Sequence, residues 1–250
     1  MSPLAISLVV CALLVAGSAG GVILRRVLPD HHLDSHAKDV VRLGCGLIAT
    51  ISGLVLGLLI NSAKTSYETQ RDEIKQLTAN VILLDQALVR FGAGSRDARL
   101  LLRKTVPEVI DRIWNDGVHR NAGGFSAVES GEETFQAVRH LVPHDEDQRF
   151  YQALASQTIT AMLQTRLILF EQAQAPIPGI LLAILVFWLV VLFVGFSLFS
   201  PLSPTARAAI VVFAVSASAA IFLILEMYQP FGGLMQIDSA PLRQALPPLG

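Results

Sequence analysis

The chain has 250 residues, of which 52% are hydrophobic and 16% are charged, and its mean hydropathy is +0.54. Soluble domains carry about a quarter charged residues, so this composition indicates a membrane protein with a substantial polar part. The formal net charge of -1, with no basic stripe, argues against electrostatic binding of nucleic acid, and we predict no nucleic-acid partner.

Four apolar runs predict four transmembrane helices, because each is near the twenty residues that a spanning helix needs. The first run begins like a signal peptide but ends in Arg25 and Arg26 instead of a polar cleavage region, so we expect it to be retained. The runs are Leu4–Leu24, Leu43–Ile60, Ile177–Phe199 and Ala206–Leu225.

The first loop contains the sequence DHHLDSH at residues 30–36, in which His32 and His36 lie four residues apart beside two aspartates. Imidazole and carboxylate are the ligand types of a transition-metal site. They are also ordinary groups in a short polar loop next to lipid headgroups. We favour the solvated loop and predict neither a metal site nor a cofactor.

Small residues recur every four positions in the second span, at Cys45, Ala49, Gly53 and Gly57. This spacing predicts one helix face that another helix can approach closely. One interpretation is packing against the first span. The other is that the face lines an oligomer axis or a pore, which would have to gate or select by apolar constriction or at its polar mouths.

The second span continues into a charged segment that keeps a helical period. Neither Pro nor Gly occurs between Gly57 and Gly92, so we predict one continuous helix that begins in lipid and ends in water. An apolar seam on its polar part predicts packing against another helix, or association with a partner or a second copy. The seam consists of Ile74, Leu77, Val81, Leu84, Leu88 and Phe91.

The polar segment between spans two and three is predicted to be a helical bundle, because it contains no strand-like alternation longer than four residues. Gly92-Ala93-Gly94 ends the long helix. A second helix is expected over Ser95–Trp114, kinked or restarted at Pro107.

Two further helices are expected before the third span. Residues 117–131 form the expected flexible loop, and Ser130 followed by Glu133 is a capping box that predicts a short helix through Leu141. An acidic stretch after Pro143 predicts a last helix towards Ala175. Its expected apolar face comprises Phe150, Leu154, Ile159, Met162, Leu167 and Phe170.

Spans three and four are joined by SPLSP, in which Ser203 can cap a helix and Pro204 can occupy its first position, so a tight antiparallel hairpin is expected. The fold class is therefore all-α: an integral membrane protein with four transmembrane helices and a helical extramembrane domain inserted between the second and third spans. The predicted parts are residues 1–63 with spans one and two, 64–176 with the helical domain, 177–227 with the hairpin, and 228–250 as a C-terminal tail.

Ionisable residues are absent from the centre of every predicted span, which argues against a proton relay or an ion-coupled transporter. Glu226, at the end of span four, could contact Lys64 at the matching end of span two, but we expect it to extend to water. The sequence contains no GxSxG, HExxH, Walker or GxGxxG pattern. We therefore predict no catalytic residues and no enzyme.

Three segments carry a resemblance to a known family: DVVRLGCGLIATISGLVLGLLINSAKTSYETQRDEI, QLTANVILLDQAL and LEMYQPFGGLMQIDSAPLRQAL. They resemble the bacterial bestrophin-like domain family of membrane proteins, and the resemblance covers almost the whole chain. It implies four spans with a helical domain between the second and the third. It implies no established catalytic or binding residues.

Bestrophins themselves are pentameric anion channels whose second span lines an apolar neck, so the resemblance implies a homo-oligomer that passes a small anion, with span two near the axis. The acidic calcium clasp and the neck aromatics of animal bestrophins are not recognisable here, since span two contains no Phe. The alternative is a non-conducting scaffold or sensor that uses its helical domain for protein–protein association. A motor-type stator, which has the same order of spans and domain, is a third option.

The expected location is the bacterial inner membrane, with the lipid bilayer as a partner. The orientation of the helical domain stays open at this point. Five basic residues crowd the two short loops, and the positive-inside rule places those loops in the cytoplasm. The bestrophin analogy instead places the helical domain there.

Overall fold

A computed structural model describes residues 2–28, 35–114, 126–173, 179–199 and 203–246. The regular structure in these ranges is helical and contains no strand, which confirms the all-α prediction. The helices are α1 (Pro3–Val27), α2 (Ser35–Phe91), α3 (Arg96–Trp114), α4 (Ser126–Arg139), α5 (Glu146–Ala173), α6 (Gly179–Phe199), α7 (Pro204–Met227) and α8 (Ala240–Arg243).

Four of the described helices, α1, α2, α6 and α7, are long and apolar enough to cross a membrane, as the hydropathy pattern predicts. The start of α7 also follows the prediction. The Ser203 hydroxyl accepts a hydrogen bond from the Ala206 amide at 3.3 Å, and Pro204 lies in the first turn. The residues that connect α6 to Ser203 lie outside the described part.

The prediction of one continuous helix through the second span is confirmed, since α2 runs unbroken for 57 residues. It ends at Gly92, whose φ of 100° lies in the left-handed region that glycine adopts readily. A 3-10 turn, Ala93–Ser95, follows. The buried Ser95 hydroxyl donates to the carbonyl of Leu88 at 2.5 Å. This hydrogen bond gives a partner to one of the last carbonyls of α2, which the helix itself leaves unpaired.

The described chain divides into two compact units, and the first contains the membrane helices, Met1–Thr65 and Pro176–Tyr228. In this unit α1 approaches α6 very closely at Gly21. A Cβ atom on Gly21 would lie 2.5 Å from the carbonyl oxygen of Val194 and 2.9 Å from Cβ of Ser197. The hydroxyls of Ser18 and Ser197 lie 2.6 Å apart beside this contact. Small residues therefore bring α1 and α6 together, as is common between helices in lipid.

Helix α7 packs on α1 through another serine contact. The Ser218 hydroxyl donates to the carbonyl of Ser7 at 2.6 Å, and both residues are buried. Around this bond, α1, α6 and α7 share one apolar cluster of Val10, Leu14, Phe193, Ala214, Ile221 and Leu225. The membrane unit thus combines close backbone approach with hydrogen bonds of buried serines between helices.

Replacing Gly21 with valine tests the α1–α6 contact. The new side chain would collide with backbone of α6, so we expect a loss of about 1–3 kcal/mol in the free energy of unfolding. Gly20→Val is the matched control, because a Cβ atom on Gly20 meets nothing within 4 Å. Unfolding of the detergent-solubilised protein by increasing SDS, followed by circular dichroism, measures the difference. Equal midpoints for the two variants would contradict the packing described.

The second unit comprises Ser66–Ala175 and Gln229–Gly250 and is a bundle of helices around an apolar core. Its core takes side chains from α2, α3, α4, α5 and α8. Burying these side chains provides the main driving force for folding of the unit. The core residues include Leu84, Leu88, Leu102, Ile110, Val138, Ala155, Ile159 and Leu242.

The helix predicted over Ser95–Trp114 is present as α3. Of the two alternatives at Pro107, the restart is excluded, because α3 continues through this residue although the proline removes one backbone hydrogen bond. The predicted start of the next helix is wrong. Helix α4 begins at Ser126 and includes Gly131, so the capping box at Ser130 does not start it. Ala127 and Glu129 are good helix formers before Gly131, and one interior glycine costs only about 1 kcal/mol. Residues 117–125 of the predicted loop lie outside the described residues.

The apolar face of α5 was predicted only in part. Leu154, Ile159 and Met162 pack in or against the core, whereas Phe150 and Leu167 are exposed by 64% and 61%. The side chain of Phe170 lies outside the described part. At about 100° per residue, Phe150 lies about 140° from the fully buried Ala155. The prediction used only the apolar character of these residues, and it therefore placed residues from two different faces of α5 on a single face.

The C-terminal tail packs on the helical unit through Trp114 of α3. The Trp114 indole N–H donates to the carbonyl of Ile237 at 2.7 Å, and its ring meets Phe231 edge-to-face at 5.4 Å. Arg243 of α8 lies 3.2 Å from Asp111. Because Leu242 is buried in the core, the tail is an integral part of this unit.

Changing Trp114 to phenylalanine removes the hydrogen bond to Ile237 while keeping an aromatic ring. Losing one such bond costs about 1 kcal/mol, so amide hydrogen exchange in residues 229–246 should rise about fivefold. Trp188→Phe, in α6 of the other unit, is the control and should leave this exchange unchanged. Exchange measured by mass spectrometry would refute the anchoring role if Trp114→Phe left the tail as protected as before.

Candidate functional site on the second span

The membrane part of α2 buries one face against α6 and α7. Leu59 and Ala63 form an apolar cluster with Leu185 of α6 and Ile224 of α7. Nearer the start of the span, the Cys45 sulfur lies so close to α6 that a Cβ atom on Gly195 would be 2.6 Å from it. These contacts define the inner face of span two.

The outer face of span two divides into two strips when positions are projected at about 100° per residue. The small-residue strip contains Gly46, Ala49, Thr50, Gly53 and Gly57, all of which are exposed. The large-residue strip, next to it around the helix, contains Leu43, Leu47, Ile51, Leu54 and Leu58, and these are 38% to 76% exposed.

The structure separates the four residues of the predicted small face. Cys45 lies on the inner face against α6, Ala49 is exposed, and a Cβ atom on Gly53 or Gly57 meets nothing within 4 Å. Residues four apart drift by about 40° at each step, so a run of four such positions turns from the inner to the outer face. That Ala49, Gly53 and Gly57 line a pore stays a prediction.

Basic side chains lie at both ends of the small-residue strip. Arg42 precedes the strip and Lys64 follows it, and in projection each lies within about 20° of Gly53. Both are exposed. Asp39, one turn before Arg42, is also exposed on this side, so the first end of the strip carries both signs of charge. The strip itself contains no ionisable residue.

The expectation that Glu226 extends to water is wrong. Glu226 is only 3% exposed, and its neighbours Ile224 and Leu225 are buried as well, so this part of α7 is covered by other parts of the chain. Close by in sequence, Tyr228 shares a hydrogen bond of 3.2 Å with Ser62 of α2. One polar contact thus joins the middle of α2 to the residue that follows α7.

The predicted association seam lies inside the helical unit. All six of its residues are at most 5% exposed, and most of them join the core formed with α3, α4 and α5. Ile74 instead packs with Leu169, Phe231 and Ile237. A partner could therefore reach this seam only by displacing helices of the same chain.

A buried ionic cluster in the helical unit was not foreseen from the sequence. Asp85 of α2 is 5% exposed and accepts a hydrogen bond from Nε of Arg99 at 3.0 Å. Arg103 lies one turn further along α3, with Nη2 3.5 Å from the same carboxylate. The sequence feature that could have indicated this cluster is the spacing of Arg99 and Arg103, because residues four apart lie on one helix face.

The predicted absence of a metal site remains a prediction for the first loop. His32 lies outside the described residues, as does the side chain of His36. Among the side chains that are described, no three His, Cys, Asp or Glu residues group closely enough to hold a metal ion.

The sequence matches the profile of the bestrophin-like domain over residues 11–242, which is nearly the whole chain. The chain belongs to the bestrophin-like domain family. No curated protein and no solved structure matches this bestrophin-like protein significantly. Its family and its four apolar helices identify it as a membrane protein.

The buried cluster gives a stability prediction for the bestrophin-like protein. Asp85→Ala removes the carboxylate that Arg99 and Arg103 share, and we expect a loss of about 3 kcal/mol in the free energy of unfolding. Chemical denaturation of the purified protein, monitored by circular dichroism, measures this loss.

Asp72→Ala is the control for that measurement. The Lys75 ammonium donates to Asp72 at 2.7 Å and lowers the pKa of this carboxyl, but the pair is largely exposed to solvent. Exposed ion pairs contribute little, so this variant should unfold like the parent protein. A parent-like midpoint for Asp85→Ala would show that the cluster is not stabilising.

Proposed function

We propose that this bestrophin-like protein is one subunit of a homo-oligomeric, channel-like protein that passes small anions across the bacterial inner membrane, with span two near the symmetry axis. The observation that carries the proposal is the uncovered small-residue strip. Only 11% of the span-two window is buried within the chain, against 17% to 28% for the other three spans.

Small side chains on a bare helix face favour contact between copies of the chain. Lipid tails are as apolar as leucine, so helices associate in a bilayer mainly where small residues allow close packing. The large-residue strip is suited to lipid or to neighbouring helices. Ala49, Gly53 and Gly57 would then face the axis, where they leave room for a narrow apolar passage.

The charges near span two support an anion as the permeant species. Arg42 and Lys64 lie at opposite ends of the small-residue strip, and a basic group at a pore mouth raises the local concentration of anions. The wall between them is uncharged, so an apolar constriction that hydrates and dehydrates would control passage. Family membership supports the same proposal, because bestrophins are anion channels.

Two measurements on the purified protein test the proposal. Native mass spectrometry in a mild detergent should give a multiple of the 27.0 kDa chain, with five copies expected from the bestrophin analogy. Liposomes that contain the protein should release chloride, and Gly53→Leu or Gly57→Leu should lower this flux at least tenfold by filling the passage. A monomeric mass or liposomes that retain chloride would overturn the proposal.

Two sets of matched variants sharpen the flux measurement. Gly44→Leu is the steric control, because Gly44 is also exposed but lies about 180° around the helix from Gly53. It should conduct like the parent. Arg42→Gln and Lys64→Gln should each lower the chloride-to-sodium permeability ratio by about twofold or more, since each removes one attracting charge. If the chloride-to-sodium permeability ratio is unchanged in both variants, the role assigned to Arg42 and Lys64 is wrong.

A further inference from the structure

The C-terminal tail forms a closed loop between Pro230 and Ile237. The Ile237 amide donates to the carbonyl of Pro230 at 2.7 Å, and this hydrogen bond joins the two ends of the loop. Phe231 and Ile237 are both buried. Trp114 holds both of them, through its hydrogen bond to the Ile237 carbonyl and its edge-to-face contact with Phe231. The base of the loop is therefore fixed on the helical unit.

The tip of this loop presents apolar side chains to the outside. Leu234 is 81% exposed, the largest exposed fraction among the large hydrophobic side chains that the structure describes, and Met235 is 40% exposed. Gly233 precedes them with a φ of 84°, which lies in the left-handed region, so the chain turns here without steric strain. Residues 227–237 contain no charged side chain. The helical unit thus carries an uncharged, apolar tip on a fixed base.

The loop lies close along the chain to the membrane helices. Leu234 follows the end of α7 by seven residues, which is at most about 25 Å for a fully extended chain. The chain connects the two units at residues 65–66, 175–176 and 228–229. Every residue in the cluster at the loop base lies within nine positions of one of these connections. The cluster consists of Ile74, Leu169, Phe231 and Ile237, with Tyr67 packed against them.

We propose that the tip of this loop, formed by Leu234 and Met235, inserts into the interfacial layer of the lipid bilayer and anchors the C-terminal tail there. This headgroup layer is about 5–8 Å thick on each side of the hydrocarbon. Apolar side chains of interfacial segments enter about 5–10 Å into this boundary and gain free energy by leaving water. The tip carries no charge that would have to lose its hydration.

The size of the tip favours lipid over a protein partner. A stable protein–protein interface buries about 800 Å² on each partner, which is far more than two side chains offer. A bilayer requires no shape complementarity from the surface that enters it. The chain already has an interface with lipid on its four membrane helices, and α7 leads directly into this loop. The tip would therefore extend an existing interface.

Site-directed spin labelling of the full-length protein in lipid nanodiscs tests the proposal. The only two cysteines, Cys11 and Cys45, are first replaced with alanine, and Leu234→Cys then carries the nitroxide. Molecular oxygen concentrates in the bilayer and the polar complex NiEDDA concentrates in water, so the ratio of their collision rates with the label reports its depth. This ratio should be about fivefold higher at position 234 than at a control position in water.

Val89→Cys provides the control position for the label. Val89 is also an exposed apolar residue of the helical unit, with 50% of its side chain exposed. It lies 15 residues beyond Ile74 along α2, which places it about 22 Å further along the helix than the cluster at the loop base. A label at position 89 should therefore collide mainly with NiEDDA.

A second set of variants tests the Leu234 side chain itself, with the label on the exposed neighbour as Gln236→Cys. Leu234→Glu adds a charge that resists transfer from water, so the ratio of collision rates should fall about fivefold. Leu234→Met is the matched control, because it keeps an apolar side chain, and it should leave the ratio unchanged. Since Leu234 is 81% exposed within the chain, neither change should alter the unfolding midpoint.

Three outcomes would overturn the proposal. Equal ratios at positions 234 and 89 would place the tip in water. A label at position 234 that is shielded from both oxygen and NiEDDA would place the tip against protein, such as a second copy of the chain. Equal ratios for Leu234→Glu and Leu234→Met would show that the leucine side chain does not hold the loop in lipid. None of these readouts depends on ion flux, so the inference stands or falls separately from the proposed channel.

Discussion

Backbone hydrogen bonding in lipid is the constraint on which this structure depends. Hydrocarbon offers no partner to a peptide N–H or C=O, so a spanning segment must pair all of them internally, and a helix does so. The same bonds are available in water. Helix α2 therefore has no reason to stop where the solvent changes, and it continues for 57 residues until Gly92 takes up a backbone conformation that ends it. Only the side chains change along its length.

Different forces stabilise the interior of each of the two units. Among the membrane helices, the hydrophobic effect gives little preference for protein over lipid, so close approach at Gly21 and the bonds of Ser18 and Ser218 matter most. In the helical unit, apolar side chains leave water, and Leu84, Leu88 and Ile110 are fully buried. The same type of substitution should therefore have different consequences in the two units.

The distribution of covered and uncovered surface decides which functions are plausible. The seam from Ile74 to Phe91 is covered by helices of the same chain, so the scaffold alternative loses the surface on which it was based. The small-residue strip of span two remains uncovered within the chain. The association of copies that we propose would therefore use the membrane helices.

Several features could be predicted from the sequence because their causes are local. Span length follows from the thickness of hydrocarbon, and the continuity of α2 follows from the lack of a helix breaker. The cap at Ser203 depends on two adjacent residues. The family resemblance is likewise a property of the sequence, and the profile match over residues 11–242 confirms it.

Other features were decided only by tertiary structure, because they join residues far apart in the chain. Apolar spacing identified the seam on α2 but not the helices that cover it, and it placed Phe150 and Leu167 on the wrong side of α5. The burial of Glu226 and the pairing of Asp85 with Arg99 depend on neighbouring helices. A periodic pattern fixes which residues share a helix face, whereas the packing of one helix on another determines which face becomes the core.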